Sequence, residues 1–427
     1  MTDFNGLRYF EVDFNADGSL DTTTGSGDGG VPAALAAGGI TDLFILSHGW
    51  NNSVPSARNL YASMFTLLAA QLGTHVTSCA AIGLIWPSLL FPEDEPAATA
   101  QAAPPPQSTG AQLAAALAPA FPDQHQALTT MGQLLDSQPQ DAAALTQFQQ
   151  LANGLVTTPS LAPEDAGESA LIGADASTAL GHAAAMANRP GSSAQGIGNP
   201  FATLWSGARE VMRTLSYYEM KNRAGVIGGK GLGPLLAGFV DAAGGSLRIH
   251  LMGHSFGARL VSYSLTGVPS SWTGTASHIK SLLLIQGAFS HFAFASPLPF
   301  DGSRSGALAG VRDRVDGPLL ATFSSADRAT GWWYPTASML SRQDAESAAD
   351  LAYRWGAMGH DGYQPPGTGA TKLAPAGTHY GFQAGGFYPL DANAIICANQ
   401  SAFSGAHSDI EHPEVLSAIV DAAGLLA

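Results

Sequence analysis

"RIHLMGHSFGARLVSYSL" occupies Arg248–Leu265. An apolar run of strand character stops at a serine held between two glycines, and a helical pattern begins at the next residue. A glycine weakens either element by backbone entropy, so Gly253 and Gly257 signal a place where backbones must pass closely. Gly253-His254-Ser255-Phe256-Gly257 reads G-x-S-x-G. A nucleophilic serine needs that context, a sharp strained turn that lifts its hydroxyl off the sheet. The helix behind it aims N–H groups and a positive dipole end at the same spot, which favours an oxyanion. A tight packing turn with a spectator serine is the bland alternative.

The rest of the chain supplies the frame such a turn requires. Phe10, Val12 and Phe14 alternate with polar residues ahead of the turn "NADG", as a half-buried strand does. "TDLFILSHGW" (41–50) reads as a buried strand, and a helix with Leu60, Met64, Leu67 and Leu68 on one face follows, with Gly73 past its end. "CAAIGLIWPS" (79–88), "IKSLLLIQGAFS" (279–290) and "GPLLATFSSAD" (317–327) read as further strands, "ANAIICANQ" (392–400) as the last, and "PEVLSAIVDAAGLL" (413–426) as the closing helix. Apolar strands alternating with helices predict a mostly parallel sheet covered on both faces. Two stretches break the rhythm: an Ala/Pro/Gln-rich insertion over 89–200 and a loop-rich one over 328–388. The expected organisation is 1–88 and 201–427 as one core, with 89–200 either a lid over the site or a solvated spacer.

Composition narrows the function classes. The chain has 427 residues, 45% of them hydrophobic, so it can bury a large core. A net charge of −15 without a local Lys/Arg run argues against nucleic acid as a partner. Nothing approaches the roughly 18 consecutive apolar residues of a membrane span, and the N-terminus lacks the basic-then-apolar order of a secretory signal. The cytoplasm is the expected compartment, with a secreted, processed form as the alternative. Cys79 and Cys397 are the only cysteines, too few for a disulfide framework, and both are expected as buried thiols on separate strands.

"LSHGWNNS", "IWPS" and "GHSFGARLVS" together resemble the α/β-hydrolases, and within them a poorly characterised bacterial branch of serine-esterase- or lipase-like enzymes. The resemblance covers the sheet-forming parts and leaves out both insertions. It implies an α/β-hydrolase fold and a triad in the chain order serine, acid, histidine. Ser255 is then the nucleophile. Of His291, His360, His379, His407 and His412, His407 lies on the loop before the terminal helix, where the resemblance puts the base. His412 abuts Pro413 and suits a capping or surface role. Asp327, at the end of "PLLATFSSAD", takes the place of the acid, with Asp361 as runner-up and Asp409 assigned to local backbone or helix capping. His48-Gly49-Trp50 resembles the family's HGX motif, which nominates the Trp50 N–H as one oxyanion donor beside that of Phe256. His48 is expected to support the loop.

Other signals are set aside. "GVIGGKGLGPLL" (225–236) has faint phosphate-loop character, but Ala224 stands where the first glycine belongs and Gly231 replaces the Ser/Thr that holds magnesium. A flexible turn opening a helix is expected there. "HSDIEH" and "GHDG" lack metal-ligand spacing, so no metal and no cofactor is expected. Trp86-Pro87-Ser88 ends a strand near the predicted site, and "GWWYP" (331–335) could wall an apolar acyl pocket. The expected activity is hydrolysis of a small or lipid-like carboxylic ester through an acyl-enzyme. The alternatives are an acyltransferase or thioesterase on the same triad, and a non-catalytic binding module on the same scaffold.

Overall fold

The computed structural model describes residues 2–23, 25, 27–89, 91, 108–155, 162, 164, 175–187, 199–333, 353–365, 367–398 and 404–426. Nine strands form one sheet: β1 (Thr2–Phe4), β2 (Leu7–Asp13), β3 (Asp42–Ser47), β4 (Cys79–Ile85), β5 (Arg248–His254), β6 (Ile279–Ile285), β7 (Leu319–Phe323), β8 (Thr371–Lys372) and β9 (Phe387–Asp391). Their order is β1-β2-β4-β3-β5-β6-β7-β9-β8, and every neighbouring pair is parallel except β1–β2. The fold is mixed α/β around a mostly parallel sheet. The N-terminal segment, read from sequence as one strand, is a hairpin. Asn5 and Gly6 both take positive φ (53° and 87°), as the two-residue turns that match strand twist require.

The central strands are buried along their whole length, because helices lie against both faces. Alternate residues Phe44, Leu46, Met252, Leu283, Ile285 and Leu320 join the helices Val54–Leu72 and Pro413–Ala422 in one core. The first of these helices starts where its sequence says it should: Ser53 caps it by accepting from Ser56 N–H, and Pro55 sits in the first turn.

The chain divides into two compact units. The first takes 1–88, 223–331 and 356–427 and holds the sheet; the second takes 89–222 and 332–355. These limits differ from those read off composition. Residues 356–388 belong with the sheet because they supply β8, most of its neighbour's approach and the short helix Met358–Asp361, none of which has an apolar run long enough to announce itself. Within the second unit, the helices Gly110–Leu117 and His125–Ser137 approach so closely that a Cβ on Gly110 would lie 2.1 Å from the Gly132 carbonyl oxygen. Thr109 and Gln112 form a reciprocal capping box at the start of the first. The Pro-rich tract 97–107 and Tyr334-Pro335 of "GWWYP" lie outside the described residues, so the pocket expected there is not described.

Three further expectations are corrected. The last strand is Phe387–Asp391, which pairs with β7; residues 392–398 of "ANAIICANQ" are instead a turn whose Ile396 packs into the core. Cys397 is accordingly exposed, whereas Cys79 is buried on β4. The glycine-rich 227–232 stretch is not a flexible turn but a π-helical segment continuing directly into the helix Gly233–Ala242. Its glycines let it press on the helix after Ser255, where a Cβ on Gly228 would lie 2.2 Å from the Leu260 carbonyl oxygen.

Candidate active site

β5 ends at His254, and Ser255 turns the chain into the helix Phe256–Ser264. Ser255 has φ 58° and ψ −122°, a conformation that costs a non-glycine residue on the order of 1–3 kcal/mol. The flanking glycines are explained by contact. A Cβ at 253 would lie 2.3 Å from the Gly257 carbonyl oxygen, and one at 257 would lie 2.2 Å from the Ser47 carbonyl oxygen at the end of β3. The turn is strained because two backbones are drawn against it, and only glycine leaves them room.

The loop after β3 reaches the same spot. Gly49 presses so closely that a Cβ there would be 2.5 Å from the Ser255 Cβ. The Trp50 and Phe256 rings are neighbours, 6.3 Å apart, so both nominated oxyanion residues flank the serine. His48 holds this loop. Its Nδ1–H donates to the Gly49 carbonyl (2.8 Å), its Nε2 accepts from Trp86 N–H (3.5 Å), and its ring stacks on the Trp86 indole. The indole Nε1–H donates to the His48 carbonyl (3.1 Å), and His48 N–H donates to the Tyr61 hydroxyl (3.0 Å). Burial pushes the His48 imidazole down to about 4, against the raising effect of its bond to Gly49. It is a neutral brace. Ser88 adds a bond from its hydroxyl to the Asn52 carbonyl (2.9 Å), so "WPS" serves the same loop.

Asp327 does not end a strand. β7 stops at Phe323, and Asp327 lies on the turn beyond it, fully buried. His407 comes from the other end of the chain, on the loop before Pro413–Ala422, and its Nδ1–H donates to Asp327 Oδ2 at 2.7 Å. Main-chain bonds lace the two loops together: Ala406 N–H to the Ala326 carbonyl (3.0 Å) and Arg328 N–H to the Ser404 carbonyl (3.1 Å). Gly405 makes this approach feasible, with φ 59° and space for no Cβ within 2.4 Å of the Ala326 oxygen.

His254 links this pair to the serine turn. Its Nε2–H donates to the His407 carbonyl (2.9 Å), and the two rings lie 4.8 Å apart. Burial, with a smaller contribution from the positive charge His407 can carry, pushes His254 down to about 3. It therefore stays neutral. Ser255 and His407 are both mostly buried, at 6% and 8% exposure. Their side chains are not hydrogen-bonded to each other.

Of the remaining candidates, His360 lies against Gly331, whose N–H donates to the Asp327 carbonyl, while the others make pairs of their own. His412 precedes the terminal helix and bonds Asp409 (3.0 Å), whose other oxygen accepts from the Cys397 and Ala398 N–H groups. His379 pairs with Asp421 at the surface, and Asp361 pairs with His291 at 2.7 Å. Two residues of this neighbourhood escaped the sequence reading: Gly405, and Gln286, which donates to Asp327. A lone Gln after "LLLI" carries no signal of that role. Among the described residues, no three His, Cys, Asp or Glu side chains gather as a metal site, and no helix is long and apolar enough to cross a membrane.

No family model, curated protein or solved structure matches the chain significantly.

Proposed function

We propose that this protein is a serine hydrolase of carboxylic esters with an α/β-hydrolase fold, acting through Ser255, His407 and Asp327. The observation that carries the reading is the meeting, in one unit, of a backbone-strained serine at the end of a parallel strand with a buried Asp–His pair drawn from two later loops. In open parallel sheets the carboxyl ends of the strands are where ligands bind, and all three residues lie beyond such ends or on a loop laced to one.

In the proposed reaction, the Ser255 hydroxyl oxygen bonds to the ester carbonyl carbon while its proton passes to His407 Nε2. Asp327 Oδ2 accepts the Nδ1–H throughout and stabilises the imidazolium. The carbonyl oxygen, now negative, is held by the Trp50 and Phe256 N–H groups. Collapse breaks the bond to the alcohol, which leaves with the proton from Nε2, and the acyl group stays on Ser255. A water molecule then gives a proton to Nε2 and its oxygen bonds to the acyl carbon. Ser255 departs with that proton, releasing the acid and restoring the enzyme.

The reading is tested with p-nitrophenyl esters and a fluorophosphonate probe on the wild type and Ser255→Ala. Turnover and covalent labelling that vanish together in a folded variant support it. Unchanged turnover in Ser255→Ala rejects it.

A further inference from the structure

We infer that Gln286 is a positioning residue that fixes the Asp327 carboxylate for His407, an inference that rests on the hydrolase reading above. Gln286 follows β6 and is fully buried. Its φ is 46°, a left-handed value that a side chain of this size rarely adopts. Its amide explains why that backbone is held. Both hydrogens on Nε2 are used, one donated to Asp327 Oδ2 and one to the Gly359 carbonyl, each at 2.9 Å. Oε1 accepts from the Thr322 hydroxyl (3.1 Å), and the same hydroxyl accepts from the Gln286 backbone N–H (3.1 Å).

This closed set settles which end of the amide faces the acid. A flipped amide would set Oε1 against the carboxylate and the Gly359 oxygen, two acceptors facing an acceptor, and lose both of those bonds. Gly359 completes the clamp. A Cβ there would lie 2.5 Å from the Gln286 carbonyl carbon, so only glycine can bring its own carbonyl to the amide. The carboxylate thus receives the Gln286 and His407 donors on Oδ2 and the Thr330 N–H on Oδ1 at 2.9 Å, and it cannot rotate without losing one. Oδ2, the oxygen that must aim the imidazole, is the one Gln286 pins.

The titratable and charged groups around this carboxylate are His407, bonded to it, Arg328, next to it in the chain, His360, whose ring lies against Gly331 on the turn bonded to the Asp327 carbonyl, and His254, packed on His407 and held neutral by burial. Gln286 is the non-titrating member of the cluster, and its replacement by Glu tests why. The measurements are kcat, KM and the pH profile for a p-nitrophenyl ester, with fluorophosphonate labelling, on the wild type, Gln286→Leu, Gln286→Glu and Thr322→Val.

Gln286→Leu is expected to lower kcat by about 10–100-fold with KM changed by less than about two-fold, the usual effect of losing a partner that orients a functional group. Gln286→Glu keeps the shape but sets a second carboxylate beside Asp327. It is expected to move the rising limb of the profile to higher pH by about one unit or more, because added negative charge favours the imidazolium. A purely structural role lowers the rate by one factor at all pH values and leaves the limb in place. That result, or wild-type kcat in folded Gln286→Leu, overturns the inference.

If Gln286→Leu fails to fold, Thr322→Val and Gln286→Glu carry the test. The low-field proton resonance of the His407 Nδ1–H gives a readout that needs no turnover, and it is expected to shift in both; an unshifted resonance in both overturns the inference. Failure of the hydrolase reading looks different. The wild type itself then neither labels nor loses activity on Ser255→Ala, whatever the Gln286 variants do.

Discussion

Two serine–histidine–aspartate sets sit on this sheet, at opposite ends of its strands. At the starts of β3, β5 and β6, His250 Nε2–H donates to Asp42 Oδ1 (3.1 Å), and His250 Nδ1 accepts from the Ser281 hydroxyl (2.8 Å). At the far ends, His407 bonds Asp327 but has no bond to Ser255. By hydrogen-bond connectivity alone the first set is the better triad. By every other measure it is a structural knot. Ser281 and His250 are fully buried within their strands, the His250 ring stacks on Phe44 at 4.6 Å, and Arg248 pairs with Asp42 at 3.0 Å. Ser281 occupies an ordinary strand position with no flanking glycine. Connectivity is complete in ordinary strand positions and incomplete where the serine stands on a strained turn between its glycines. Backbone strain and approach, rather than the three residue types, separate a candidate site from a buried polar network.

The sharpest way to break this comparison is to remove each serine. Ser255→Ala is expected to lower kcat for ester hydrolysis by on the order of 10⁶-fold, whereas Ser281→Ala changes it by less than about two-fold. Equal losses would erase the distinction. Replacing each acid comes next. Asp327→Asn is expected to cost about 10⁴-fold in kcat, by leaving the imidazole misaligned. Asp42→Asn leaves kcat nearly intact and lowers stability by about 2–4 kcal/mol in urea unfolding, because a buried charge network loses a member.

A smaller effect distinguishes the two ends through packing. Gly257→Ala pushes a methyl into the Ser47 and His48 carbonyls. Its expected cost is about 1–3 kcal/mol of stability together with slower phosphonate labelling, since the helix after Ser255 must move. Gly238, whose Cβ would meet nothing within 4 Å, is the control: Gly238→Ala is expected to raise stability by about 0.4–1 kcal/mol without touching labelling.

The pH dependence of stability sharpens the comparison at a lower level, because buried neutral imidazoles occur in both regions. His48 is pushed down to about 4 and His254 to about 3, chiefly by burial, and His250 is lowered for the same reason against the raising effect of Asp42. A histidine depressed on folding binds fewer protons folded than unfolded between its two values. Its stabilisation is therefore present above the unfolded value near 6.5 and lost as pH falls through that window. Asp42 adds the same sign: burial opposes its ionisation, the bonds from His250 and Thr41 outweigh it, and the lowered carboxyl loses its contribution as pH falls. At about 1.4 kcal/mol per pKa unit, His48 alone removes about 3 kcal/mol by pH 4. Urea unfolding at pH 7, 5.5 and 4.5 should show a steady decline. A flat profile would mean these rings take up protons without cost.

Much of the site was legible because its parts obey local rules. The elbow declares itself by glycines at fixed offsets from Ser255, and the strands bracketing it by unbroken apolar runs. Trp50 was marked only by His48 and Gly49 before it. Asp327 and His407 were legible as positions relative to elements, yet their setting was misjudged: Asp327 stands past its strand, and the strand expected just before His407 is a turn. Gln286 and Gly405 gave no sign. One is a polar residue behind an apolar run and the other one of 50 glycines, and neither has a pattern until its partner is beside it.

What the sequence determined by itself is what depends on near neighbours in the chain: the alternation of strands and helices and the sharp turn between glycines at Ser255. Only the tertiary structure decided which aspartate meets which histidine. It set Asp327 against a residue 80 positions away, Asp42 against one 208 positions away, and Gln286 against the acid across 41. The physical reason is range. Propensity, capping and strain act over a few residues, whereas the direction of a buried carboxylate is fixed by every donor that folding happens to bring within about 3 Å of it.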